Sequence, residues 1–208
     1  MNVEILFAFV AATSVLAISP GPDNIYVLMQ SVTNGRKYGM ATVMGLISGC
    51  IIHTTLLAFG VSAIIKNNEI IFFIIKLCGA SYLIYLAYKV YTSKDAINLS
   101  GEEVVKRSTW QLFKQGFIMN VLNPKVTIFF LAFFPGFLFS KELNTVAQFY
   151  VLGLLFMFVS FIIFSIIVIL SSYISDYFRK NERIGVFFKW LQIIVFVAIG
   201  IFLFFSDK

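Results

Sequence analysis

Long uninterrupted apolar runs dominate the chain, at residues 3–32, 40–65, 70–91, 112–139, 146–172 and 186–205, separated by polar segments at 33–37, 66–69, 92–111, 140–145 and 175–185. A helix needs about 20 residues to cross hydrocarbon about 30 Å thick. Each run meets that length, so the pattern predicts an all-α membrane protein with six transmembrane helices. Closed β-barrels also satisfy their backbone in lipid, but their strands alternate in polarity over about 10 residues. None of these runs alternates.

Composition narrows the class. Of 208 residues, 60% are hydrophobic, 17% aromatic and 12% charged, with mean hydropathy +0.92. Soluble domains carry about a quarter charged residues. An ordinary soluble enzyme, a disordered chain and a disulfide scaffold are excluded, as is a nucleic-acid binder despite the net charge of +6. Cys50 and Cys78 lie within apolar runs, far apart and without neighbouring histidines, so no metal site, redox motif or cofactor follows. At the start, Glu4 stands where a secretory signal would carry Lys or Arg, and the apolar stretch after it exceeds a signal core. A retained first span is expected.

The basic residues then set orientation. With the N-terminus outside, the inner segments hold Arg36, Lys37, Lys89, Lys94, Lys106, Arg107, Lys114, Arg179, Lys180, Arg183 and Lys189, which is 11 of 16. Lys66, Lys76, Lys141 and Lys208 fall on the outer side, and Lys125 lies within the fourth run. Excess Lys and Arg in short loops marks the cytoplasmic face. Both termini are therefore expected outside, with residues 1–208 forming one transmembrane domain: a first half of about 1–91, a cytoplasmic connector at 92–111 and a second half of about 112–208.

The first and fourth runs are interrupted. Ser19-Pro20-Gly21-Pro22-Asp23-Asn24 sits near the middle of one and Asn123-Pro124-Lys125 near the middle of the other. Proline lacks the helix donor and clashes with the preceding turn, whereas Ser or Asn just before Pro marks a helix start. Each run should be two half-helices. Pro22 and Pro124 are 102 positions apart, about half the chain, and the same offset brings Gly35 to within one position of Gly136. With span 1 running inward and span 4 outward, the expected architecture is two inverted three-helix halves, helices 1 and 4 broken at midspan, as in many secondary transporters.

Two half-helix N-termini would then meet near the bilayer centre, where they favour anions. Lys125 adds a positive charge and Asp23 a negative one. With Asn24 and Asn123 beside them, the pair suits the carboxylate and ammonium of an amino acid, and ionisable groups within a span are functional candidates by default. A buried structural ion pair is the competing reading. His53, the single histidine, continues a stripe formed by Ala41, Gly45 and Gly49 at four-residue spacing. Small residues on one stripe allow close helix packing, as Gly79 does in the third run. His53 is either a hydrogen-bonded interface residue or a proton-coupling group. The phenylalanines at 129, 130, 133, 134 and 137 read as core or lipid-facing, and Tyr82, Tyr85, Tyr88 and Trp110 as packing or interface residues.

These residues resemble a known family. Pro20-Gly21-Pro22-Asp23-Asn24, the segment Gly35-Arg36-Lys37-Tyr38-Gly39, and Gly45, Gly49 and His53 look like the first half of the LysE/RhtB family of bacterial amino-acid exporters. The stretch from Lys76 to Lys89 is similar to its third span, apart from Ala87 where Gly is common. Phe113, Gly116, Asn120, Asn123-Pro124-Lys125 and Phe134-Pro135 resemble its fourth. The resemblance implies six spans in the bacterial inner membrane and efflux of amino acids or derivatives, such as lysine, homoserine, threonine or leucine, driven by protons. Expected partners are thus an amino acid, protons and the lipid bilayer, with a homo-oligomer left open.

Rival readings fit less well. A membrane thiol carrier of the cytochrome-biogenesis type needs a cysteine beside each helix break, where this chain has Asp23 and Lys125. Gly79-Ala80-Ser81 suggests a rhomboid-like protease only until Tyr82, and the histidine precedes the serine. No H-E-x-x-H motif is present. An exporter or channel for another small solute, such as a metal ion, stays as the alternative, although Asp23 is the only carboxylate placed deep in a span. The expectation is an amino-acid exporter working by alternating access.

Overall fold

The structure, a computed structural model, describes residues 2–19, 21–62, 69–92, 107–173 and 182–205. Pro20, most of the 92–111 connector and the chain end lie outside the described residues, as do Lys66, Lys94, Lys106, Arg179, Lys180 and Lys208. Helices make up the fold: α1 (Val3–Ile18), α2 (Pro22–Thr33), α3 (Arg36–Leu56), α4 (Glu69–Thr92), α5 (Thr109–Val121), α6 (Pro124–Ile128), α7 (Thr145–Ile169) and α8 (Glu182–Phe205). No strand occurs among the described residues. Helix α3 continues through a π-helical turn at Leu57–Val61, giving a 26-residue apolar rod from Arg36 to Val61. That rod and the 25-residue α7 are each long and apolar enough to cross a membrane.

Two further pairs pass the same test only when joined across a bend. The α1–α2 pair bends by 60°, and α5 meets the helical segment Pro124–Phe137 at 49°. Proline explains the second bend directly. Pro124 has no N–H to give the carbonyl of Asn120, and Asn123 caps the new helix with its side chain. Beyond α6 the backbone winds through a π-helical turn at Phe129–Phe133 and a 3-10 turn at Phe134–Phe137. Pro135 accounts for that loosening, because the carbonyl of Leu131 has lost its donor four residues on.

Glycine governs the tightest packing. Helix α3 lies against α5, and a Cβ on Gly45 would strike the carbonyl oxygen of Phe113, while one on Gly116 would strike that of Thr42. A Cβ on Gly49 would sit 2.6 Å from Asn120 Oδ1. Gly79 of α4 meets Ala132 in the same manner. Without a hydrophobic drive between apolar helices in lipid, such backbone approach supplies van der Waals contact. The core is largely aromatic. Phe129, Phe130, Phe133, Phe134 and Phe137 are all buried and form a cluster of ring contacts with one another, with Phe9 of α1 and with Phe156 of α7. Outward faces stay apolar: on α7, Val151, Leu154, Phe158, Ile162 and Ile166 are exposed at helical spacing. Tyr85 and Tyr88 are exposed on α4, and exposed Trp110 stacks on Phe113 at 5.3 Å.

One end of the bundle is tied by a glutamine. Gln148 Oε1 accepts the N–H groups of Phe139 and Ser140, and its Nε2 donates to the carbonyls of Ser140 and Leu143. The Asn2 N–H donates to the Phe139 carbonyl at 2.8 Å. The start of α1 and the end of the segment that follows α6 therefore lie together.

Candidate functional site

Each helix break leaves backbone groups without their usual partners, and nearby side chains take them up. At the first break, Asn24 reaches back so that its Nδ2 donates to the Ala17 carbonyl at 2.7 Å. Gly21 precedes Pro22, the first residue of α2, where the missing N–H costs nothing. At the second, Asn123 Oδ1 accepts the N–H of Lys125 at 3.0 Å, and the Asn123 carbonyl accepts the N–H of Thr127.

The free end of the Asn123 amide joins the two breaks. Its Nδ2 donates to Asp23 Oδ2 at 2.9 Å. Lys125 attracts the same carboxylate through space, but its Nζ carries no hydrogen bond or ion pair among the described residues. The ammonium lies instead 5.1 Å from the centre of the Phe196 ring and 3.5 Å from the Cβ position of Gly21. An aromatic face attracts a cation, yet it leaves the three N–H donors unmatched.

Asp23, Asn24 and Lys125 line one cavity of about 40 Å³, shared with Cys50, Asn120 and Ser160 among its polar groups. Leu16, Leu46, Val126, Phe156 and Phe164 form much of its apolar wall. An anionic group, a cationic group and an apolar surface thus face one space between the broken helices. Such an arrangement presents a partner for each charge of a zwitterion. No cluster of His, Cys, Asp and Glu suited to a metal ion occurs among the described residues.

His53 stands apart from the cavity lining. Its Nε2 lies 3.1 Å from the Asn120 carbonyl, and because a carbonyl only accepts, Nε2 carries the proton. Pro124 denies this carbonyl its usual helical donor, and the Asn123 N–H, at 3.0 Å, and His53 serve it instead. His53 is 4% exposed and rests 5.4 Å from the Phe130 ring. Gly45 and Gly49 bring α3 close enough for that bond, and Gly79 serves the contact of α4 with Ala132.

Residue patterns did not single out Cys50, Asn120 or Ser160 as cavity residues. A signal existed for Ser160, the one hydroxyl between Val151 and Phe164. Asn120 stands four before Pro124, at the position whose carbonyl a proline deprives of its usual helical donor. Cys50 gave none, since a thiol in an apolar run looks like any small core residue.

Comparison with known proteins identifies the family. The chain is 32% identical over 153 residues to the homoserine/homoserine lactone efflux protein of Salmonella typhi, covering 74% of this chain and 73% of that protein. It is 31% identical over the same length to the protein of that name from Salmonella typhimurium. No solved structure matches it. The sequence model of the LysE type translocators matches residues 14–206, nearly the whole chain. With both helix breaks inside that match, the chain belongs to the LysE family of multi-pass membrane translocators and is a transporter, not an enzyme.

Proposed function

We propose that this protein is a proton-coupled exporter of small amino acids, with homoserine the first substrate to test, and that it works by alternating access across the inner membrane. One observation carries the reading: Lys125 Nζ, without a hydrogen-bond partner among the described residues, and Asp23, fixed by Asn123, share one cavity between two broken helices. The substrate carboxylate binds Lys125 and its ammonium binds Asp23. Between substrates, a proton on Asp23 replaces the ammonium. The efflux proteins it resembles supply homoserine as the probe.

Cavity size supports the cycle. A site of about 150 Å³ accommodates benzene, whereas this one measures about 40 Å³. Homoserine has more heavy atoms than benzene, so the helices must part to admit it. An inverted plan of six spans supplies that movement, with α1–α2 and α5–α6 as the broken first helices of two halves. Helix pairings support it. Helix α3 lies along α5 as α7 lies along α1, while α4 pairs with α8 and α3 with α7. Exchanging the halves carries each pairing into another or into itself. The tie between Asn2 and Phe139 sets the start of the first span and the end of the fourth on one side, as opposite directions of these two spans require.

The test is efflux from cells loaded with dipeptides, with and without the protein. Faster export of one or more small amino acids, homoserine among them, is expected. Unchanged efflux of all twenty common amino acids and of homoserine would contradict the proposal.

A further inference from the structure

Helical serines and threonines in this protein habitually bond their own helix. Ser14, Ser31, Thr42, Ser48, Thr54 and Thr127 each donate to the carbonyl four residues back, the usual outlet for a hydroxyl in an apolar setting. Thr13, Ser62 and Ser160 depart from the habit, and of these Ser160 of α7 is the one that lines the cavity. It is 2% exposed, and its Oγ has no hydrogen-bond partner among the described residues. It lines the cavity that Asp23 and Lys125 line. Asn120 of α5, 5% exposed, lines the same cavity with its Oδ1 also unpartnered among the described residues.

Buried polar groups are normally matched, and those left unmatched in a binding cavity are matched by what enters it. Asn120 Oδ1 can only accept, whereas the Ser160 hydroxyl can donate and accept. A methyl group satisfies neither. A hydroxyl on the substrate, which both donates and accepts, matches Ser160 in either sense and can donate to Asn120.

We infer that Ser160, on the same cavity wall as Asn120, reads the substrate's side chain and selects a hydroxyl-bearing amino acid over its apolar counterpart. The inference rests on the reading that Asp23 and Lys125 hold the zwitterion, but the residues and the discrimination it concerns are separate. Charge anchoring fixes the backbone of any amino acid; Ser160 ranks the side chains.

The test uses the full chain in proteoliposomes with L-homoserine and L-2-aminobutyrate, which differ by one hydroxyl. Wild-type protein exports homoserine faster. Ser160→Ala lowers the ratio of the two initial rates by about 3- to 10-fold, the worth of one hydrogen bond to a neutral partner, and Ser160→Thr restores much of it. A ratio unchanged in Ser160→Ala, an equal fall for both substrates, or a wild type without preference overturns the inference while leaving the exporter reading standing. A wild type that moves neither amino acid overturns that reading and this inference with it.

Discussion

Asn123 Nδ2 donates to Asp23 Oδ2 at 2.9 Å, a hydrogen bond that fastens two helix breaks 100 residues apart in the chain. The same side chain caps α6 through its Oδ1, so helix start and carboxylate placement depend on one residue. Asn123→Ala therefore removes a cap and frees Asp23 together. Bonds to charged groups are worth about 1.5–3 kcal/mol, so homoserine efflux is expected to fall about tenfold or more. Asn123→Asp keeps the cap acceptor but sets two carboxylates against each other, and its efflux falls at least as far. Wild-type rates in either variant would show that this bond does not position the site.

His53 offers a test of a different kind. Its Nε2–H meets the Asn120 carbonyl that Pro124 cannot serve. His53→Leu removes one of the two donors to that carbonyl, the Asn123 N–H remaining at 3.0 Å, and is expected to destabilise the protein by about 0.5–1.5 kcal/mol. His53→Gln keeps a donor and recovers part of the loss. Thermal unfolding in detergent reads the effect, and transport by the Gln variant should still respond to a proton gradient. A stable Gln variant whose transport ignores the gradient would make His53 a proton carrier instead.

The glycine contacts predict a sharp contrast within one helix. Gly45→Ala drives a methyl into the backbone of Phe113, and overpacking of this kind costs about 1–3 kcal/mol. Gly60, in the π-helical turn at the end of α3, has nothing within 4 Å of its Cβ position. Gly60→Ala should leave unfolding unchanged or raise it slightly, since alanine favours helix. Equal behaviour of the two variants would contradict the packing.

Orientation has its own measurement. In a Cys50→Ala, Cys78→Ala background, Asn2→Cys should react with an impermeant maleimide in intact cells. Reaction only after lysis would place the N-terminus inside and invert the topology.

Much of this was legible because proline, glycine and charge act locally. Pro124 ends a helix wherever it stands, and Asn123 ahead of it announces the next one. The spacing of Gly45 and Gly49 showed a packing stripe before any partner was known. What lay hidden depends on where other helices fall. That the Gly45 stripe meets Gly116, that His53 serves the Asn120 carbonyl, and that Ser160 turns from its own helix are facts about neighbours distant in the chain. The loosened winding from Phe129 to Phe137 was half visible, since Pro135 was in the sequence, but its burial among Phe9 and Phe156 was not. Gln148 escaped notice because a single amide near a helix start does not reveal that it will tie down a loop.

The central claim is that Lys125 and Asp23 hold the two charges of an amino acid. Efflux of labelled L-homoserine from proteoliposomes, with a proton gradient imposed, tests it most directly when wild type is set beside Lys125→Ala and Asp23→Asn. The account predicts saturable, gradient-driven efflux in wild type and at least a tenfold loss in each variant, with both still folded by thermal unfolding. Full efflux in folded Lys125→Ala or folded Asp23→Asn would contradict it.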